Sequence, residues 1–508
     1  MRKLLRFMFS RLFITALMVV IQFLFIVSLV TLLAEYATYI FWLLEILAVI
    51  SIVFVINSEM EDGFKLIWSI IILALPIAGI TLYLFIGNTK LGSRRLRKIV
   101  HIYKETNHLY KSNITLKYNF ENPSIQRQVT YLTNQGFPIY DNSKAHYMSW
   151  GEVKWVEMKE ELKKAQKFIF MEYFILEEGI FWNSILEILE QKVKEGVEVR
   201  VMYDDLGCAN KLPYGYQRTL EKKGIKCVVF NPLNFYYSAR MNNRDHRKIL
   251  VIDGNVGFCG GINLADEYIN EVERFGRWKD TALLIKGDAV WSLTLMFLQN
   301  RNTHRNEDQD YELYKPDEPN EELKNSKEFV LPYGDSPFDN EPIGRNVYMN
   351  MINNAKKYLY LTTPYLIIDQ AMMNSLCIAA KSGIDVRIIT PGIYDKKMVS
   401  WLTKDSYKPL LEAGARIYEY TPGFIHAKSF LCDDIVCNVG TINMDYRSFY
   451  HHFECSTLVY NSYAVISLKK DFFDTLEDCT EITLNTIRKQ GFFRSLMAKL
   501  LKLFAPLE

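Results

Sequence analysis

His246-Arg247-Lys248 and His426-Ala427-Lys428 each open a segment whose later residues repeat at the same distances. Four residues separate the Lys from an Asp (Asp253, Asp433). Six more residues separate that Asp from a Gly (Gly260, Gly440), and an Asn stands three positions beyond the Gly (Asn263, Asn443). The chain has only 8 histidines, and two of them occupy these matched positions. One His-x-Lys on a half-buried strand carries no information, whereas a duplicated one with its Asp, Gly and Asn in register predicts a single active site built from two halves.

The residue types suit a phosphodiester. One neutral imidazole can attack phosphorus while a second, protonated, gives its proton to the leaving alkoxide. Two ammonium groups (Lys248, Lys428) and two amides (Asn263, Asn443) can hold the nonbridging oxygens as charge grows on them. This chemistry requires no metal, and no carboxylate cluster or G-x-G-x-x-G or Walker A sequence points to a metal or nucleotide cofactor. Reading His246–Asp253 as a strand puts His246 and Lys248 on one face and Arg247 on the other. Asp253 falls at odd parity, beside the Gly254-Asn255 turn signal that closes a hairpin. Asp253 and Asp433 are therefore expected to support the site from the turn.

Elements that position such a site follow from the surrounding pattern. A helix at Val153–Lys167 leads into an apolar strand at Phe168–Phe174, and a second at Ser184–Glu195 leads through Gly196 into Val197–Tyr203. This alternation predicts α/β architecture with parallel strands. Three segments recur in the second half: Lys164–Phe170 as Asn354–Tyr360, Lys194–Arg200 as Lys381–Arg387, and Leu220–Gly224 as Leu411–Gly414. Duplication of a whole domain, with the halves paired about a pseudo-twofold axis, is the economical account. The first half carries about ten extra residues near Asn231–Asn243, beside its motif.

The N-terminus has a different composition. Leu12–Ala34 is an apolar run with Gln22 as its only strongly polar residue, long enough to span a bilayer. Tyr39–Ile56, carrying Glu45, and Leu66–Ile86, carrying Pro76 and Gly79, follow it. Basic residues flank the set (Arg2, Lys3, Arg6 and Arg11 before; Lys90, Arg94, Arg95, Arg97 and Lys98 after), which places the catalytic region on the cytosolic side. Two spans satisfy both flanks and three do not. The expected organisation is a membrane anchor of two to three apolar spans over 1–88, a basic juxtamembrane linker over 89–134, half 1 over 135–301, a linker over 302–335 and half 2 over 336–508. Phe492–Phe504, with Arg494, Lys499 and Lys502, reads as a basic interfacial helix or an ordinary docked terminal helix. Lys+Arg (60) and Asp+Glu (58) nearly cancel and no basic run marks the soluble halves, so a nucleic-acid partner is not expected. The 8 cysteines are scattered, which suits a reducing compartment.

The doubled H-x-K-x4-D-x6-G-[GS]-x-N signature, with Thr441 at the small position of the second copy, resembles the phospholipase D superfamily and, within it, the bacterial cardiolipin synthases. Asn57-Ser58-Glu59 ahead of Leu75–Gly79, Gly276-Arg277-Trp278-Lys279-Asp280, Thr363-Pro364-Tyr365, Asp445–Phe449 and Phe453-Glu454 extend the similarity over nearly the whole chain; His451-His452 depart from the family pattern. The resemblance implies two phospholipase D-like halves behind a transmembrane region in a bacterial cell membrane. It implies His246 as nucleophile, His426 as general acid, Asp280 and Glu454 hydrogen-bonded to the rings, and Asp253 and Asp433 grouped with the active site. The implied reaction joins two phosphatidylglycerol molecules through a phosphatidyl-histidine and releases glycerol, with anionic phospholipid and the membrane as partners and no cofactor. A membrane phospholipase D using water, and an anchored nucleic-acid phosphodiesterase, are the alternative readings.

Overall fold

The run Ile249–Ile252 and the turn after it fold as strand parity requires. Lys248–Ile252 (β5) is buried throughout, and Val256–Gly260 (β6) returns antiparallel to it. Between them Asp253 and Gly254 take φ of 51° and 71°. Two successive positive φ values define the tight turn whose twist matches its strands. Asp433 and Asp434, at 56° and 59°, make the same turn between Ser429–Cys432 (β13) and Val436–Gly440 (β14).

The computed structural model describes residues 17, 20–24, 27–28, 36–87, 94–110, 120, 122–232, 243–305, 307, 310–316, 323–324, 326–338, 341–488 and 492–507. They fall into two units, one of 94–231 and 244–499, the other of 1–93, 232–243 and 500–508.

In the larger unit, Ser143–Met148 (β1), Phe168–Tyr173 (β2), Glu198–Asp204 (β3), Lys226–Phe230 (β4), β5, β6 and Ala282–Gly287 (β7) form a seven-stranded sheet in the order β1-β7-β6-β5-β2-β3-β4. The second sheet uses Phe329–Asp335 (β8), Tyr358–Thr362 (β9), Asp385–Pro391 (β11), Arg416–Tyr420 (β12), β13, β14, Glu454–Tyr460 (β16) and Cys479–Ile482 (β17). Its order is β17-β12-β11-β9-β13-β14-β16-β8, the first order again with one strand added at an edge. Leu366–Ile367 (β10) and Met444–Asp445 (β15) make a separate short pair. In both sheets the strands joined through helices run parallel and the motif hairpin runs antiparallel.

The architecture is thus mixed α/β in two halves, as expected. The expected linker 302–335 ends in a strand, because Phe329–Asp335 pairs along its length with β16. Ile249, Cys259 and Leu283 of the first sheet share one core with Val439, Cys455 and Val459 of the second. Helix Val290–His304 runs within this core and is buried almost all round: its first half is largely apolar, and Gln299, Asn300 and Asn302 of the second are hydrogen-bonded to Tyr110, Glu172 and Tyr311. Separate cores back the outer faces of the two sheets.

In the smaller unit, Thr38–Ile56 is a helix long and apolar enough to cross a membrane. The run Leu66–Ile86 is not one helix. Asp62–Ala74 stops at Leu75 (φ −139°, ψ 74°), because the residue before a proline is driven out of the helical region, and Pro76–Leu82 starts afresh. The two pieces approach so closely that a Cβ on Gly79 would lie 2.7 Å from the Ile71 carbonyl oxygen. Gln22, the polar residue of the first run, accepts the Ala78 N–H exposed by this break at 3.3 Å. Most of Leu12–Ala34, Lys90 and the ten-residue excess (233–242) lie outside the described residues. Phe492–Phe504 is a helix.

Candidate active site

Each motif enters its strand stitched to the opposite half. The His246 N–H donates to the Phe453 carbonyl at 2.9 Å, and the Phe453 N–H donates to that of Arg244 at 2.8 Å. The His426 N–H likewise donates to the Lys279 carbonyl at 2.7 Å, and the Lys279 N–H to that of Phe424 at 3.0 Å. The residues following Phe453 and Lys279 are Glu454 and Asp280. His246 Nδ1 therefore lies 3.0 Å from both carboxylate oxygens of Glu454, and His426 Nδ1 lies 2.6 Å from Asp280 Oδ2. A carboxylate on Nδ1 fixes the tautomer and leaves Nε2 as the nitrogen available for chemistry.

Both imidazoles are buried, and burial holds their pKa values well below the ordinary range; Glu454 opposes this at His246, while Lys428 reinforces it at His426. Burial lowers Lys248 to about 8 and Lys428 to about 7. Each of these ammonium groups is stabilised by Glu454 and by Asp280, so one field spans both motifs. Burial pushes Asp280 up to about 6 against the pull of Lys428. Burial also raises Glu454, but His246 and His452 outweigh it and hold this carboxyl below its usual range. Glu454 is thus the more readily ionised of the two carboxyls.

The two carboxylates need different neighbours. A Cβ at Gly261 would sit 2.2 Å from Asp280 Oδ1, so no larger residue fits there. The second copy has Thr441 at that place, and its hydroxyl donates to Glu454 Oε2. The departure at Thr441 thus adds a hydrogen bond to the carboxylate behind His246.

The motif aspartates are not brought to the imidazoles. Asp253 accepts the N–H groups of Gln166, Lys167 and Phe168 at 2.7–2.8 Å, and Asp433 those of Lys356, Lys357 and Tyr358 at 2.7–2.9 Å. Each carboxylate clamps its turn to the start of the neighbouring strand, at the end remote from His and Lys. Asn263 accepts the Ile175 N–H at 3.0 Å and donates to the Tyr268 hydroxyl at 2.7 Å, so its amide is committed on both sides. Asn443 is buried, and its Oδ1 has no hydrogen-bond partner among the described residues. Lys248 and Lys428 each donate to the carbonyl of their own His.

Several neighbours carry no signal in the sequence. Lys154, on helix Gly151–Lys163, is fully buried, donates to the Ile262 carbonyl at 3.0 Å and is lowered by burial to about 7. Arg244 and Asp204 form a buried ion pair at 2.7 Å that anchors the segment entering His246. Aromatic rings enclose the histidines, with Phe174 5.1 Å from His246, and Tyr268 and Trp278 each 5.6 Å from His426. Trp278 belongs to the Gly276–Asp280 motif, which could have revealed it. His452, at a position that departs from the family pattern, has its ring 5.3 Å from that of His246.

Two α/β halves whose His-x-Lys strands exchange carboxylates define an enzyme of the phospholipase D type. The sequence profile of the family described as "Cardiolipin synthase, PLD-like domain" matches residues 158–283 and 348–476, and that of "Phospholipase_D-nuclease N-terminal" matches 46–88. A cardiolipin synthase of Clostridium perfringens is 34% identical over 461 residues, covering 87% of this chain and 93% of its own. An uncharacterised protein of Streptococcus mutans is 46% identical over 463 residues, covering 90% and 99%. Phosphatidylserine synthase of Haemophilus influenzae shares the fold, with a TM-score of 0.55 at 14% identity over 76% of this chain and 98% of that one. The chain belongs to the cardiolipin synthase family, phosphatidyltransferases of the phospholipase D superfamily.

Proposed function

We propose that the protein joins two phosphatidylglycerol molecules into cardiolipin and glycerol. His246 Nε2 attacks the phosphorus of the first molecule, and His426, which the bound anionic phosphodiester and Asp280 together keep protonated, gives its proton to the departing glycerol oxygen, leaving a phosphatidyl-histidine. His426, now neutral, takes the proton from a hydroxyl of the second phosphatidylglycerol. That oxygen attacks phosphorus, cardiolipin forms and His246 is restored. One phosphodiester replaces another, so no nucleotide activation enters.

The observation that carries this reading is the exchange of carboxylates, Glu454 onto His246 and Asp280 onto His426. Ionised Glu454 offsets the positive charge of the phosphatidyl-imidazolium, which suits His246 to the nucleophile's part. Asp280, held closer to neutrality, stands behind the imidazole that passes the proton back and forth. Lys248 and Lys428 would hold the nonbridging oxygens, with Asn263 and Asn443 shaping the phosphate pocket and Asp253 and Asp433 bracing the turns. The recurring strand order and the matched backbone exchanges support a pseudo-twofold relation between the halves.

Both substrates reside in the bilayer, and an anchor over 1–88 gives the enzyme a high effective concentration of them. Two or more spans with cytosolic basic flanks make it a multi-pass protein of the bacterial cell membrane. The flank at 90–98 would attract anionic lipid at about 1 kcal/mol per charge. The test is to supply the purified protein with phosphatidylglycerol alone and identify the products. Cardiolipin and glycerol in equal amounts are expected. Phosphatidic acid as sole lipid product would make the enzyme a hydrolase.

A further inference from the structure

Three metal-binding side chains meet at one point of this site. Glu454 Oε1 lies 3.0 Å from His246 Nδ1 and 3.4 Å from His452 Nδ1, and all three ligand atoms fall within 4.8 Å of one another. Zn2+ held by imidazole nitrogen and carboxylate oxygen at about 2.0–2.1 Å has tetrahedral edges of about 3.3 Å, so the two carboxylate-to-imidazole separations are close to those of a formed site. His452 supplies a second observation. Its side chain is nine-tenths buried, its Nδ1 faces Glu454 Oε1, and its Nε2 has no hydrogen-bond partner among the described residues. Among the described residues, His426 and Asp280 gather no such third ligand.

We infer that His246, His452 and Glu454 form a site for Zn2+ or a similar divalent transition ion, and that its occupancy switches the enzyme off. Binding replaces the Nδ1 proton that His246 shares with Glu454 and releases that proton to solvent. The ion then draws electron density from the ring and neutralises the carboxylate that would offset the phosphatidyl-imidazolium. Binding stands on geometry alone, whereas inhibition rests on the reading of His246 as nucleophile. The two are measured separately.

The experiment uses the full-length protein in detergent, stripped with chelator. Co2+ is titrated first, as a spectroscopic substitute for Zn2+. One equivalent should produce the visible absorption of a tetrahedral N/O site, without the thiolate-to-cobalt band that any of the eight cysteines would add. His452→Asn and His452→Gln, each shown folded by circular dichroism, should weaken that binding by at least about tenfold. Zn2+ should inhibit turnover of phosphatidylglycerol reversibly by chelator, and both variants, each referred to its own metal-free rate, should resist it to the same degree. Cobalt spectra that do not change in the His452 variants overturn the site. Binding that leaves turnover untouched, or inhibition unchanged in both variants, overturns the switch.

Discussion

Glu454 reaches from the second half to place both carboxylate oxygens 3.0 Å from Nδ1 of His246, a residue 208 positions earlier in the chain. The oxygens accept the Nδ1 proton, and Thr441 donates to the same carboxylate. Replacing Glu454 with Gln keeps the shape and removes the charge, so the amide can present its NH2 to Nδ1 and reverse the tautomer. Turnover should fall by about 10³–10⁴-fold, by analogy with removal of the orienting carboxylate from other imidazole bases. Cardiolipin formation by the folded variant, confirmed by circular dichroism, is the measurement. A loss of only a few-fold would show that the carboxylate merely fills space.

The assignment of nucleophile is checked by trapping. Denaturing the enzyme in neutral detergent during turnover of phosphatidylglycerol labelled at phosphorus, since a phosphorus–nitrogen bond is cleaved by acid, should leave label on the wild-type protein and none on His246→Ala. Label persisting on His246→Ala would exchange the roles of the two histidines.

Burial lowers Lys428 to about 7 and Lys248 to about 8, from an ordinary 10.5. Both must be charged to hold phosphate, so the alkaline decline of kcat/KM, begun by loss of the His426 proton, should steepen as pH rises through about 7 to 8. Burial keeps His246 neutral well below its ordinary 6.5, so the loss of nucleophile on the acid side belongs to lower pH. Arginine stays charged throughout this range. In Lys428→Arg the steepening should therefore move up to the value set by Lys248, whatever happens to the maximal rate. A pH profile of kcat/KM for the two proteins decides it; coincident alkaline limbs would exclude Lys428 as their source.

Asp253 accepts three backbone N–H groups and faces away from the imidazoles. Asp253→Ala should cost about 2 kcal/mol or more of stability, the loss expected for hydrogen bonds to a charged acceptor. The rate per folded molecule should stay within a few-fold of wild type. Thermal denaturation and active-site-normalised turnover separate the two effects. A thousandfold loss of rate without loss of stability would return Asp253 to the chemistry.

Some of this site is legible because its determinants are local. Strand parity separates His246 and Lys248 from Arg247 and Asp253, and a turn of positive φ follows from Asp-Gly in one copy. Pro76 is visible as the residue that breaks the third apolar run. Phe329–Asp335 is harder to read as a strand, because Pro332, Gly334 and Asp335 have poor strand propensity and the segment is held by pairing with β16. His452 looked like a departure from a pattern, and nothing near it in the chain reveals that it packs beside His246.

The sequence by itself determined that there are two halves, each with a His-x-Lys strand, a hairpin and a supporting aspartate, since spacing and alternation act over a few residues. Only the tertiary structure decided that each imidazole takes its carboxylate from the other half, across 208 and 146 residues. That pairing depends on the packing of two sheet faces into one core and on the backbone exchanges at Phe453 and Lys279. Contacts between residues so far apart leave no periodicity in either segment.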